Sequence, residues 1–148
     1  MKNIRIYTDG ASSAKDNIGG WAALIIYPNN VEVELFGHYV GATNNQMELL
    51  AVIEGLSYIF DNENCNQISV EVISDSEYVV NGISSWLPRW IKSGWKSKGG
   101  PVKNKPLWEA LHSLVTVIPT KFTWTRGHSG DIYNERVDKL AVAARLKK

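Results

Sequence analysis

The sequence predicts an α/β protein, a five-stranded mixed sheet with helices on both faces. Three observations carry that expectation. Three β-prone segments open the chain one after another, separated by turn signals. Helical and strand patterns then alternate, which calls for parallel strands covered by helices. The length, 148 residues with 44 % hydrophobic and 21 % charged residues, suits one globular domain spanning 1–148 and excludes disordered and fibrous classes.

Ile4 to Asp9 alternates and reads as the first strand. Gly10 to Gly20, rich in Gly, Ser, Asn and Asp, reads as a loop. Trp21 to Tyr27 is an apolar run closed by the turn signal Pro28-Asn29-Asn30, and Val31 to Val40 alternates again, so an antiparallel meander is expected. Thr43 and Gln46 have the spacing of a capping box, opening a helix whose apolar stripe is Leu49, Ile53, Leu56 and Phe60. Ile68 to Ser74 is a β-branched strand, and Ser76 to Ile83 reads as a short helix closed near Gly82. A basic, aromatic segment follows from Trp86 to Lys105. Pro106 to Val117 is helical, Lys121 to Thr125 a short strand, and Asp131 to Leu146 a final helix.

A single cysteine, Cys65, excludes an intrachain disulfide and a zinc site built from several cysteines. No N-terminal apolar segment resembles a leader, and no apolar run reaches the ~18–20 residues that span a bilayer, so a cytoplasmic protein without membrane contact is expected. Nothing demands a dimer, and monomer is the default. Charge is unevenly placed. Residues 16–88 hold ten Asp or Glu and no Lys or Arg, whereas residues 89–148 hold thirteen Lys or Arg against four Asp or Glu. Separate surfaces for cations and for a polyanion fit that asymmetry.

Four carboxylates stand in suggestive places. Asp9 and Asp75 end two strands, and sites in open α/β sheets form outside such ends. Glu48 and Asp138 sit beside the apolar stripes of two helices, with Asn134 one turn before Asp138. Carboxylates brought together repel and are neutralised by a hard cation such as Mg2+ or Mn2+. Spacing alone does not bring the four together; each equally suits a turn, a cap or a solvated helix face.

The surrounding residues say more. Thr8-Asp9-Gly10, Thr43-Asn44-Asn45-Gln46-Met47-Glu48-Leu49, Ser74-Asp75-Ser76-Glu77-Tyr78-Val79, Gly127-His128-Ser129-Gly130 and Asn134-Glu135-Arg136-Val137-Asp138-Lys139-Leu140-Ala141 occur in that order. Taken together, over essentially the whole chain, this set resembles type 1 ribonuclease H of the bacterial kind. The resemblance implies the ribonuclease H-like fold. It implies endonucleolytic hydrolysis of RNA in an RNA–DNA hybrid, by two-metal, in-line attack of water that leaves 3′-hydroxyl and 5′-phosphate ends. It also implies Mg2+ as cofactor, with Mn2+ as a substitute. By motif, Asp9, Glu48, Asp75 and Asp138 match the family's metal-binding carboxylates, and His128 its mobile loop histidine. Gly10, Asn44, Asn45, Glu77 and Asn134 match positions near the substrate. The segment with Trp86, Trp90, Lys96 and Lys98 is similar to the family's basic protrusion, in which cations meet phosphates and indoles pack on sugars or bases.

Three departures stand out against that pattern. The segment from Ala11 to Ile18 carries Lys15 where relatives have an amide; Glu77 stands where Gln is frequent; and no separate hybrid-binding domain is visible. Two other readings share part of the pattern. A DNA nuclease on the same fold also needs an acidic cluster, but the contexts of Glu48 and His128 argue against it. A silent hybrid-binding module has no need of all four carboxylates and the histidine.

Overall fold

The computed structural model describes residues 1–97, 100–127 and 130–146. The positions of Lys98 and His128 therefore lie outside the described residues. Strands β1 (Lys2–Ser13), β2 (Ile18–Ile26), β3 (Glu32–Val40), β4 (Ile68–Ser74) and β7 (Thr120–Trp124) form one sheet in the order β3-β2-β1-β4-β7. A small antiparallel pair, β5 (Lys96–Ser97) and β6 (Gly100–Pro101), stands apart. β1 to β3 are antiparallel, while β4 and β7 run parallel to β1, so the sheet is mixed as expected.

Helices α1 (Asn44–Asn62) and α4 (Lys105–Val117) cover one face. There Ile4, Ile6, Ala23 and Ile25 of the sheet meet Leu49, Val52, Leu56, Trp108 and Leu111. Helix α5 (Ile132–Leu146) covers the other face, burying Tyr7, Ala22, Leu24 and Ile73 against Val137 and Ala141. With both faces covered, every residue of β2 is buried, which explains its apolar run without alternation. Arg136 of α5 reaches two carboxylates of the edge strand, at 2.8 Å from Glu32 and 2.7 Å from Glu34.

Two expectations are corrected. The segment from Gly10 to Gly20 is not a loop throughout: β1 continues to Ser13 and β2 begins at Ile18, with Gly10 paired to Trp21 and Ser13 to Ile18. Cross-strand pairing there outweighs the weak strand preference of Gly and Ser. Nor does Gly82 close a helix. α2 (Glu77–Asn81) passes through a widened π turn at Gly82–Trp86 into α3 (Leu87–Ser93), and Gly94, at φ +71°, ends it.

Gly82 is glycine because of what it touches. A β-carbon there would lie 2.2 Å from Cη2 of Trp108, whose ring is fully buried. Gly82→Ala is therefore expected to cost about 1–3 kcal/mol of stability through overpacking, read as a lower urea midpoint at unchanged slope.

Candidate active site

The parallel pairing of β1 with β4 runs from Lys2↔Ile68 to Thr8↔Ser74 and stops there. Asp9 and Asp75 are the next residue of each strand's chain, so two carboxylates emerge side by side where the sheet opens. Asp9 is only 5 % exposed, and its Oδ1 accepts the Gly10 N–H at 2.9 Å.

Glu48 comes from the first turns of α1. Thr43 caps that helix through the Gln46 N–H at 3.2 Å, while Gln46 Oε1 accepts the Thr43 N–H at 2.9 Å, the reciprocal pair expected from the sequence. α1 lies so close to β1 that a β-carbon on Gly10 would stand 2.5 Å from the Glu48 nitrogen. The bare backbone at Gly10 is thus what admits Glu48 to Asp9. Glu48 is also 5 % exposed, and the nearby Gly10 N–H and Ser76 hydroxyl act to lower its carboxyl against the effect of burial. Its Oε1 has no partner in the described structure.

Asp9, Glu48 and Asp75 each offer a carboxylate oxygen, and these oxygens lie within 4.8 Å of one another. Asp138, half-buried on α5, falls outside this trio but is near enough to add to the rise of the Asp9 carboxyl. Burial pushes the Asp9 carboxyl far above the usual carboxylate range, with the Glu48 and Asp75 charges adding to the shift. Burial likewise raises Glu48, opposed in part by its bond from Asp9. In a metal-free site both carboxyls are therefore held toward the protonated form. An all-oxygen donor set, an orphaned buried Oε1 and carboxyls that resist ionisation fit a hard divalent cation.

The other sequence-predicted residues spread around this centre. Asn44 and Asn45 are exposed at the start of α1, and Glu77 is exposed at the start of α2. Asn134 is 2 % exposed on α5, its Oδ1 without a partner. Trp86 and Trp90 are half-buried and pack on each other, 6.2 Å between ring centroids. Trp90 also stands on Trp95 and on the buried Trp108, so these indoles form an aromatic wall at the core's edge. Lys96 is exposed beyond it on β5.

Sequence reasoning missed a polar bridge beneath the site. Gln46 Nε2 donates to Asn104 Oδ1 at 3.3 Å; Asn104 Nδ2 and the Trp108 indole then donate to the Tyr78 hydroxyl at 3.1 and 3.0 Å. This bridge ties the start of α1 to α2 and α4. The motif containing Tyr78 pointed to the segment, but nothing in the spacing revealed a partner at Asn104.

Fold and site together describe a class: α/β proteins with an acidic centre, compatible with a metal ion, at the open end of paired parallel strands. Comparison with known proteins narrows the class. The RNase H family model matches residues 1–145. The chain is 45 % identical over 142 residues to the ribonuclease H of Hahella chejuensis, covering 95 % of this chain and 92 % of that one. It is 45 % identical over 141 residues to ribonuclease HI of Pseudomonas aeruginosa, covering 95 % and 91 %. The crystal structure of LC9-RNase H1, described as a type 1 RNase H with the type 2 active-site motif, superposes with a TM-score of 0.87 at 29 % identity, over 97 % of this chain and 72 % of that one. The chain belongs to the RNase H family, hydrolases that act on the RNA of RNA–DNA hybrids.

Proposed function

We propose that this chain cleaves the RNA strand of a hybrid internally at the Asp9–Glu48–Asp75–Asp138 centre, with Mg2+, or Mn2+ in its stead, as the resident cation. The convergence of three carboxylates around a buried, unpartnered Glu48 oxygen, in a chain of this family, carries the reading. A pair of such cations supplies Lewis-acid stabilisation of the phosphate and a water nucleophile at neutral pH.

The chain's own residues do the rest. Asp9 and Asp75 would hold the cations from adjacent strand ends. Glu48 would hold one cation near the ribose 2′-hydroxyl, and Asp138 would complete the other cation's site. Water attacks phosphorus in line; the P–O3′ bond breaks, and the 3′ oxygen takes a proton, leaving 3′-hydroxyl and 5′-phosphate ends. His128, between Gly127 and Gly130 in the sequence, serves proton transfer or product release, because a neutral imidazole accepts a proton near pH 7.

Selectivity for a hybrid needs groups that sense 2′-hydroxyls across a wide minor groove. Gly10, Asn44, Asn45, Glu77 and Asn134 take that part, with the exposed α1 start as the main contact. Trp86, Trp90, Lys96 and Lys98 hold the DNA strand. Lys96→Ala is expected to lower the slope of log affinity against log salt by about 1, measured on a hybrid oligonucleotide. An unchanged slope removes Lys96 from the phosphate contacts. The reading includes a cytoplasmic, monomeric enzyme.

A panel of hybrid, duplex DNA and four-way junction tests the substrate. Cleavage of the hybrid alone supports the reading. Cleavage of duplex or junction at a similar rate favours a DNA nuclease on the same fold.

A further inference from the structure

We propose that Trp124 is a positioning residue for Asp75, its indole N–H holding the main chain from which that carboxylate projects. This inference rests on the reading of Asp75 as a cation ligand.

The pairing of β4 with β7 ends at Ser74↔Trp124, and Thr125 N–H donates the last main-chain bond, 2.9 Å to the Ser74 carbonyl. β7 stops there, so the Asp75 carbonyl lies one residue past the ladder. The Trp124 indole spans that gap, Nε1–H donating to the Asp75 carbonyl oxygen at 3.2 Å. On its other side, Ser76 N–H donates to Ser74 Oγ at 3.0 Å and pins the turn. Gly127 walls the carboxylate itself, since a β-carbon there would sit 3.0 Å from Asp75 Oδ2. Asp75 is thus bracketed by β7 and by the chain that follows it.

The indole is 47 % exposed. A strand end needing only a β-former is served by Val or Thr without exposing so large an apolar ring. What Trp offers here is an N–H donor fixed in a rigid ring and held at the neighbouring strand's exit. One neutral hydrogen bond contributes only about 1 kcal/mol to stability. Displacing a catalytic group by ~1 Å, however, costs on the order of a hundredfold in rate. Loss of the indole N–H therefore shows in the site more than in the fold.

The test compares the intact chain with Trp124→Phe, which keeps a ring without the donor, with Trp124→His, which keeps a ring N–H, and with Asp75→Asn. Mn2+ affinity is measured by calorimetry without substrate, and kcat and KM on a hybrid oligonucleotide with Mg2+. For Trp124→Phe the expectation is a melting temperature within about 2–4 °C of the parent. Mn2+ binding should weaken roughly threefold to tenfold and kcat fall about tenfold, with KM within about twofold. Trp124→His should recover part of both losses.

A rise in KM with kcat and Mn2+ affinity unchanged overturns the inference and makes the exposed ring a nucleic-acid contact. No change in any of the three overturns it as well. Asp75→Asn separates the two levels: if that variant binds Mn2+ like the parent, the reading of Asp75 itself fails, whatever Trp124 does. Should Trp124→Phe not fold, hydrogen exchange of the Trp124 indole N–H in the intact chain decides. Protection despite the ring's exposure supports the bond, and exchange as fast as free indole overturns it.

Discussion

Asp9→Asn is expected to lower kcat on a hybrid by at least about a thousandfold, because on the proposed reading several kcal/mol of transition-state stabilisation depend on cations that this carboxylate would hold. Hybrid affinity should change little, since Asp9 is buried and the lysines proposed to meet the phosphates, Lys96 and Lys98, lie in another segment. Retained turnover in a nuclease-free preparation contradicts the assignment of Asp9.

The same substitution carries a pH signature. Burial and neighbouring charges hold the Asp9 and Glu48 carboxyls above their ordinary range, so the metal-free folded chain binds more protons than the unfolded one as pH rises from ~4. The stability contributed by these two groups is therefore fully present below the ordinary carboxylate range and is lost as pH climbs through the raised values. In EDTA the melting temperature should fall with rising pH, and Asp9→Asn should flatten that fall. With Mg2+ the parent should regain stability increasingly at higher pH, while Asp9→Asn should gain little. Parallel pH profiles for the two proteins, with and without Mg2+, contradict this picture of the site.

Gly10→Ala is expected to damage fold and activity together. The new methyl would meet main-chain atoms, 2.5 Å from the Glu48 nitrogen and 2.6 Å from the Met47 carbonyl carbon, so no side-chain rotation relieves it. The first turns of α1 must shift outward, at a cost of about 3 kcal/mol or more. Glu48 moves with them, and kcat should fall on the order of a hundredfold even in the folded fraction. Urea unfolding followed by kcat under native conditions measures both. A variant of parental stability and activity shows that α1 does not depend on close approach at Gly10.

Much of this arrangement was legible in the sequence because its signals are local. The capping box at Thr43 and Gln46 fixes where α1 begins, and through it the turn that bears Glu48. The β-branched run from Ile68 to Ser74 is the observed β4 to the residue, which places Asp75 at its exit. The recurrent motif contexts then selected the four carboxylates that spacing alone left separate.

What the sequence hid depends on partners distant in the chain. Gly10 to Ser13 look like loop residues until β2 pairs with them. Gly82 looks like a helix stop, yet its lack of a side chain serves the ring of Trp108 twenty-six positions away. Asn134 is 2 % exposed within the packing of α5, a burial that no periodicity announces. Trp124 looks like an ordinary strand residue, and its bond to Asp75 exists only because β4 and β7 are neighbours.

The most direct measurement of the central claim uses an RNA strand labelled at its 5′ end and annealed to DNA, incubated with the protein in Mg2+ and in EDTA. Single-stranded RNA and duplex RNA run beside it. Internal cuts in the hybrid alone, present with Mg2+ and absent with EDTA, are the predicted result. Cleavage that survives EDTA, cleavage of single-stranded RNA, or an uncut hybrid in both Mg2+ and Mn2+ with demonstrably folded protein would contradict it.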